Sequence, residues 1–142
     1  MKRRDTLMRL KRFRVDELKR RMTTLDAMHN DLERKLADLE DSVARERQRA
    51  NDSDIGRLAF PSFLRSIESR RENLRTTIRE IDRERDQCQA ELTGAFQDLK
   101  SLELATEQQA KKAEELEVRR TQSRADEMAI VRHLRKHALR QI

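Results

Sequence analysis

Residues 50–64 read ANDSDIGRLAFPSFL, and they separate two long, highly charged segments. The stretch holds Pro61, which is the only proline of the chain, with one of its two glycines and two of its four phenylalanines. Proline lacks an amide hydrogen and disfavours a helical conformation at the residue before it. The Asn, Asp and Ser residues at 51–54 favour turns and helix caps. The stretch therefore predicts a turn over about residues 51–61, with Ser62 as the N-cap of a second helix.

The segment before this turn carries apolar residues at alternating steps of three and four. This spacing lines up one stripe of a helix, as in a coiled coil, and predicts a first helix over about residues 5–50. His29 falls on the same stripe, where a polar residue can fix the register of packing. The apolar members of the first stripe are Leu18, Met22, Leu25, Leu32, Leu36, Leu39 and Val43.

The segment after the turn repeats this spacing, with polar interruptions such as Arg71 and Arg85. It predicts a second helix over about residues 62–138. The apolar members of the second stripe are Leu74, Ile78, Ile81, Cys88, Leu92, Leu99 and Leu102. A connection of about ten residues lets the chain reverse and bury one stripe against the other.

The predicted fold is therefore all-α, an antiparallel two-helix coiled-coil hairpin forming a single domain over residues 1–142. Counting outward from the turn leaves the second helix without a partner beyond about residue 107. We therefore expect an overhanging C-terminal helix, which would depend on a partner because isolated helices are only marginally stable in water.

The composition excludes several classes of protein. Charged residues make up 42% of the chain and aromatic residues 3%, which is too few large apolar side chains for a compact globule. No segment has the roughly 18 apolar residues that a transmembrane helix needs, so we expect no direct membrane insertion. Cys88, the only cysteine, cannot form an internal disulfide, and a cytoplasmic location is expected.

The charges of the chain are unevenly distributed. Residues 1–22 carry ten Lys and Arg against three Asp and Glu, and residues 119–142 carry seven against two. The net charge of the whole chain is +6, so the middle is acidic and both ends are basic. Basic ends favour association with acidic partner surfaces.

No catalytic, metal or cofactor site is indicated. Two isolated glycines cannot form a phosphate-binding loop, and a nucleophile such as Cys88 would need a nearby base and a pocket. His133 and His137 have the i, i+4 spacing of a two-histidine metal site, but the surrounding Arg and Lys residues would repel a cation. We therefore expect no enzyme and no cofactor.

A leucine at every seventh position from 18 to 39, after a basic segment, outlines a basic leucine zipper that would bind DNA as a parallel dimer. The basic segment, however, has no Asn to read a base and is interleaved with apolar residues. A second, longer helix also follows and needs a partner. We therefore expect no nucleic acid partner. The DNA-binding zipper remains the alternative function, together with a generic coiled-coil scaffold.

Three segments carry a family resemblance. They read RDTLMRLKRFRVDELKRR at 4–21, LAFPSFLRSIESRRENL at 58–74, and AFQDLKSLELATEQQAKKAEELEVRRTQSRADEMA at 95–129. In the third, Phe96, Leu99 and Lys100 precede a charged run that closes on an Asp-Glu pair. Over nearly its whole length the chain resembles the FliJ family, the small soluble coiled-coil component of the bacterial flagellar export apparatus.

The resemblance implies a non-catalytic adaptor in type III flagellar protein export, and hence a role in motility. Such proteins bind and promote the ring-forming export ATPase, and they link it to the cytoplasmic domain of the membrane export gate. Some also handle export chaperones. The implied location is the cytoplasm, peripherally associated with the inner-membrane base of the flagellum.

Two sets of site residues follow for this chain. The resemblance implies a gate contact early in the second helix, at Phe63, Leu64 and Ile67. For the ATPase, the hypothesis is that the basic N-terminal end, together with the basic tail, engages an acidic surface of the ring. The N-terminal residues of this contact are Leu7, Arg9, Leu10, Arg12, Phe13 and Arg14.

Overall fold

A computed structural model describes residues 2–140, and they form two long α-helices that pack against each other. Helix α1 spans Lys2–Asp52 and helix α2 spans Asp54–Arg140. Ser53 is the one residue between them. The prediction of an all-α fold is confirmed. The first residue and the last two residues of the predicted 1–142 domain lie outside the described part.

The connection is much shorter than the turn predicted over residues 51–61. Helix α2 begins at Asp54 and not near residue 62. Ser53 is the N-cap, because its Oγ accepts the amide N–H of Gly56 at 2.9 Å and its carbonyl oxygen accepts that of Arg57 at 3.2 Å. The prediction of Ser62 as the N-cap is therefore wrong.

Gly56 allows the start of α2 to approach the end of α1. A Cβ atom at this position would lie 2.9 Å from Ser53 Oγ, 3.0 Å from the carbonyl oxygen of Arg49 and 3.1 Å from Cα of Ala50. Favourable contacts between non-bonded carbon atoms lie at about 3.5–4.0 Å. Because glycine has no Cβ, the start of α2 can pack closely against the end of α1 at this position.

Pro61 lies inside α2 and does not end it. Proline at this position removes the backbone hydrogen bond to the carbonyl of Arg57, four residues earlier. Two contacts hold the helix around it. The rings of Phe60 and Phe63 stack with their centroids 6.5 Å apart, and the guanidinium of Arg47 in α1 lies 6.0 Å from the Phe60 ring centroid. The sequence predicts a helix boundary at Pro61, but α2 continues through it. The Ser53 cap and the contacts of Phe60 stabilise the helix on the N-terminal side of the proline.

The described chain divides into two compact units, one ending at Gln97 and the other beginning at Asp98. The core of the first unit is apolar and draws on both helices. Leu18 and Cys88 are its most buried side chains, each 1% exposed. They pack with Leu25 and Ile81, and half-buried apolar residues surround this cluster, namely Met22, Leu32, Leu92 and Ala95.

Contacts between the helices of the first unit run in reverse order along the chain. The guanidinium of Arg71 donates to the carboxylate of Glu40 at 3.0 Å, whereas Arg14 lies 3.6 Å from Glu91. Later positions of α2 therefore meet earlier positions of α1, which is consistent with a helical hairpin.

In the second unit, Leu99 is buried and Leu102 is half-buried. Every residue from 107 to 140 is exposed. Within residues 2–140, neither helix contains an apolar stretch able to cross a bilayer.

Candidate partner-binding surfaces

The predicted stripe residues are all buried or half-buried. Among them, Leu18, Leu25, Ile81 and Cys88 form the core cluster of the first unit. The remaining members fall in the same two exposure classes, namely Met22, Leu32, Leu36, Leu39, Val43, Leu74, Ile78, Leu92, Leu99 and Leu102. The stripes therefore lie on the packed sides of the two helices, and their half-buried members keep part of their surface exposed.

Two polar interruptions of the stripes, Arg85 and His29, each contact a carboxylate of the opposite helix and one of their own helix. Arg85 Nε donates to Asp26 Oδ1 at 2.9 Å, and Nη1 of the same side chain lies 3.4 Å from Asp82. His29 Nε2 lies 3.3 Å from Asp82 Oδ1 and 3.6 Å from Glu33 Oε1. Because Arg85 and Asp26 are partly exposed, their ion pair contributes little stability.

The N-terminal basic surface consists of Leu7, Arg9, Leu10, Arg12, Phe13 and Arg14. All six lie exposed on α1. Leu10 and Phe13 are each 60% exposed, and Leu7 is 43% exposed. At roughly 100° per residue, Leu7, Leu10 and Phe13 follow one another around one side of the helix. The structure therefore brings together an apolar strip and arginine side chains on one exposed segment.

The predicted gate residues lie on the inner side of α2. Phe63 and Leu64 are half-buried, and Ile67 is only 3% exposed. Phe63 borders a shallow cavity of about 270 Å³, shared with four residues of α1 that include Arg45 and Arg49. The structure thus brings the three residues together, but Ile67 is part of the core.

Sequence reasoning missed two exposed residues beside the break. Ile55 and Leu58 are 81% and 83% exposed, more than any other large apolar side chain among residues 2–140. The sequence does contain a signal for them, since their i, i+3 spacing places them on one side of a helix. The i, i+3 spacing has this meaning only within a helix, and the sequence predicts a turn over residues 51–61.

Further exposed apolar residues lie near the end of α2. They include Met128, Ile130, Leu134 and Leu139. The imidazole rings of His133 and His137 lie parallel with centroids 6.2 Å apart. Within the described part of the chain, no three potential ligands among His, Cys, Asp and Glu come together to hold a metal ion.

Comparison with known proteins gives one family match. A family model described as "Flagellar FliJ protein" matches residues 1–138. The match includes the N-terminal basic surface, the break at Ser53 and nearly all of α2. No curated protein and no solved structure matches the chain.

Proposed function

Since the chain belongs to the FliJ family, and is therefore a component of the bacterial flagellar export apparatus, we propose that it is a non-catalytic adaptor between two parts of that apparatus. In this proposal it binds the ring-forming export ATPase and promotes its activity. It also links the ATPase to the cytoplasmic domain of the membrane export gate. Its place is then the cytoplasmic side of the inner-membrane base of the flagellum, with export chaperones as further partners.

The observation that carries the ATPase contact is the N-terminal basic surface. Leu10 and Phe13 are each 60% exposed. Neighbouring exposed apolar side chains of this kind are typical of docking surfaces. The ten Lys and Arg residues within residues 1–22 add a field that attracts an acidic partner. Apolar contact then supplies affinity, and opposite charge supplies orientation and association rate.

The proposed architecture is an antiparallel coiled coil whose second helix extends beyond the end of the first. The reverse order of contacts, such as Arg71 with Glu40 and Arg85 with Asp26, supports the antiparallel direction. The full exposure of residues 107–140 supports the overhang. A helix this exposed gains little from packing within its own chain, so a partner is the expected source of its stability.

The export gate is the proposed second partner, and its contact lies at the start of α2. The half-buried side chains of Phe63 and Leu64 are available there at their edges. Ile67 is 3% exposed, so its direct participation requires the helices to separate locally. The segment around the break is the favoured contact region because it also exposes apolar side chains.

The proposal is tested by ATP hydrolysis of the purified export ATPase from the same organism, with and without this protein. Stimulation is expected, and it should weaken as salt rises, because exposed charges are screened within about 10 Å at moderate ionic strength. The double charge reversal Arg12→Glu/Arg14→Glu should remove most of the stimulation.

The matched control is Arg75→Glu/Arg83→Glu, which changes the net charge equally at two exposed positions of α2. It should stimulate the ATPase as the unmodified protein does. Circular dichroism confirms that both variants remain helical. If the reversal at Arg12 and Arg14 has no more effect than the control, the N-terminal basic surface is not the ATPase contact.

A further inference from the structure

The end of α2 is an exposed amphipathic helix. Every residue from 128 to 140 is exposed, and this range is named here the terminal segment. At roughly 100° per residue, its large apolar side chains all fall within one half of the helix circumference. They are between 46% and 72% exposed, and they are Met128, Ile130, Val131, Leu134 and Leu139. The apolar half of the terminal segment is therefore not covered by the described chain.

The opposite half of the terminal segment is positively charged. Arg132, Lys136 and Arg140 follow one another there at steps of four, and the stacked rings of His133 and His137 lie beside them. No Asp or Glu occurs between residues 128 and 140. The helix dipole favours cations only within the last turn, so it does not account for Arg132 and Lys136. The charge of this half therefore points to an anionic surface.

We propose that the terminal segment binds the surface of an anionic phospholipid bilayer. It lies in the plane of the headgroups, with its apolar half toward the acyl chains and its basic half among the phosphates, and it does not cross the bilayer. Helices that bind membranes in this way combine a large apolar face with Lys and Arg on the polar face. This inference goes beyond the adaptor function proposed above and does not depend on it.

Arg135 is the charged residue that lies within the apolar half. Around the helix it falls between Val131 and Met128. Arginine side chains extend their apolar stems along a hydrophobic surface and keep the guanidinium at the polar boundary. At the depth of the headgroups, Arg135 therefore adds a further phosphate contact.

A second copy of this chain fits the terminal segment poorly. Two terminal segments packed through their apolar halves would bring their Arg and Lys side chains together, and neither segment has a carboxylate to pair with them. Juxtaposed like charges oppose such an interface.

A groove on an acidic protein also fits less well than a bilayer. A groove contacts the apolar half and leaves the opposite half in water, so it places no demand on the charge of that half. Headgroups, in contrast, extend along both flanks of a helix that lies at their depth. The wholly positive charge of the polar half therefore favours the bilayer.

The N-terminal basic surface is a weaker candidate for the same contact. The helix there is packed on its inner side, where Val15 and Leu18 are buried. Carboxylates also lie among its basic residues, at Asp5, Asp16 and Glu17. A bilayer would meet a narrower apolar face and a mixed charge at that end.

The test is co-sedimentation of the full chain with vesicles of phosphatidylcholine and phosphatidylglycerol in equal parts, and with vesicles of phosphatidylcholine alone. Binding to the mixed vesicles is expected, and it should weaken as salt rises because the charges are screened. Arg132→Gln/Lys136→Gln should weaken it by about 25-fold, since each Lys or Arg near an anionic membrane strengthens binding by about fivefold. Leu134→Gln/Leu139→Gln should weaken it by about tenfold or more, because binding scales with the apolar area that is buried.

Two control variants match these changes. Arg75→Gln/Arg83→Gln removes two positive charges at exposed positions of the first unit. Leu104→Gln/Leu116→Gln makes the apolar change at positions that are 52% and 49% exposed. Both controls should bind the mixed vesicles as the unmodified chain does. Glutamine is a good helix former, so circular dichroism should show the same helicity in all four variants.

Loss of vesicle binding in both terminal variants, with unaffected controls, supports the inference. Equal binding by the terminal variants overturns it, as does equal binding of the unmodified chain to vesicles without phosphatidylglycerol. Loss of binding in Leu10→Gln/Phe13→Gln alone would assign the lipid contact to the N-terminal basic surface instead.

The inference is also wrong if the unmodified chain does not bind the mixed vesicles. Loss of ATPase stimulation in the terminal variants would then identify an acidic protein surface as the occupant, and loss of self-association would identify a second copy. The adaptor function is decided separately by the ATPase assay, so the two failures are distinguishable.

Discussion

The two glycines of α2 predict opposite outcomes for the same substitution. At Gly94 nothing lies within 4 Å of an added Cβ, so Gly94→Ala gains the helix preference of alanine, about 1 kcal/mol. At Gly56 the Cβ would lie 3.0 Å from the carbonyl oxygen of Arg49 and 3.1 Å from Cα of Ala50. These are backbone atoms of α1 and cannot rotate away, so the two helices must shift apart locally.

The difference between the two variants isolates the cost of this contact, because alanine replaces glycine in a helix in both. Overpacking a close contact costs about 1–3 kcal/mol. Gly94→Ala should therefore be more stable than the unmodified chain by about 1 kcal/mol. Gly56→Ala should be less stable than Gly94→Ala by about 1–3 kcal/mol.

The assay is urea unfolding of both variants and the unmodified chain, followed by far-UV circular dichroism. A change in the midpoint with a constant slope reports a change in the free energy of unfolding. If Gly56→Ala is as stable as Gly94→Ala, the close approach of α2 to the end of α1 is not a feature of the folded chain. If Gly94→Ala is destabilised, Gly94 does not face open space.

Three further predictions concern the packing of the first unit. Leu18→Ala should lower the free energy of unfolding by about 2–5 kcal/mol because it leaves a cavity in the core, whereas exposed Leu10→Ala should change it by about 0.5 kcal/mol at most; equal effects would contradict the assigned core. A double-mutant cycle of Arg85→Ala and Asp26→Ala should give a coupling of about 0.2–1 kcal/mol that falls in high salt, and zero coupling at low salt would contradict the ion pair. Spin labels at Asp26 and Asp86 should lie close within one chain in dilute solution. Proximity of position 26 to position 26 of another chain would instead indicate a parallel zipper.

The core was predictable because it depends on spacing that spans many turns. Leu18 and Leu25 fall on the first predicted stripe, Ile81 and Cys88 fall on the second, and these four form the observed core cluster. A single polar interruption does not disturb such a stripe, because neighbouring apolar residues still fix which side of the helix is buried. Arg85 even adds an ion pair with α1. Spacing could therefore identify the buried side of each helix without any knowledge of the turn.

The helix break was not predictable in the same way, because local preferences compete with contacts between distant residues. Pro61 and the Asp and Ser residues before it favour an irregular turn when only their neighbours are considered. In the folded chain the hydrogen bond from Gly56 to Ser53 starts the helix early, and the contact between Arg47 and Phe60 holds it on the N-terminal side of the proline. Neither contact can be recognised without knowing how α1 and α2 approach each other.

The position of the break decides which side chains are exposed, and this is why the sequence did not predict Ile55 and Leu58 as exposed residues of α2. The direction of a side chain around a helix follows from its position in a continuous helix. Once residues 51–61 are assigned to a turn, Ile55 and Leu58 have no defined direction and cannot be recognised as neighbours. Ile67, in contrast, received two incompatible roles, since its spacing from Leu74 placed it on the buried stripe while the family resemblance placed it at an interface. Its 3% exposure agrees with the spacing. The proposed gate contact at the start of α2 therefore requires α1 and α2 to separate locally if it is to include Ile67, whereas Phe63 and Leu64 are already partly exposed.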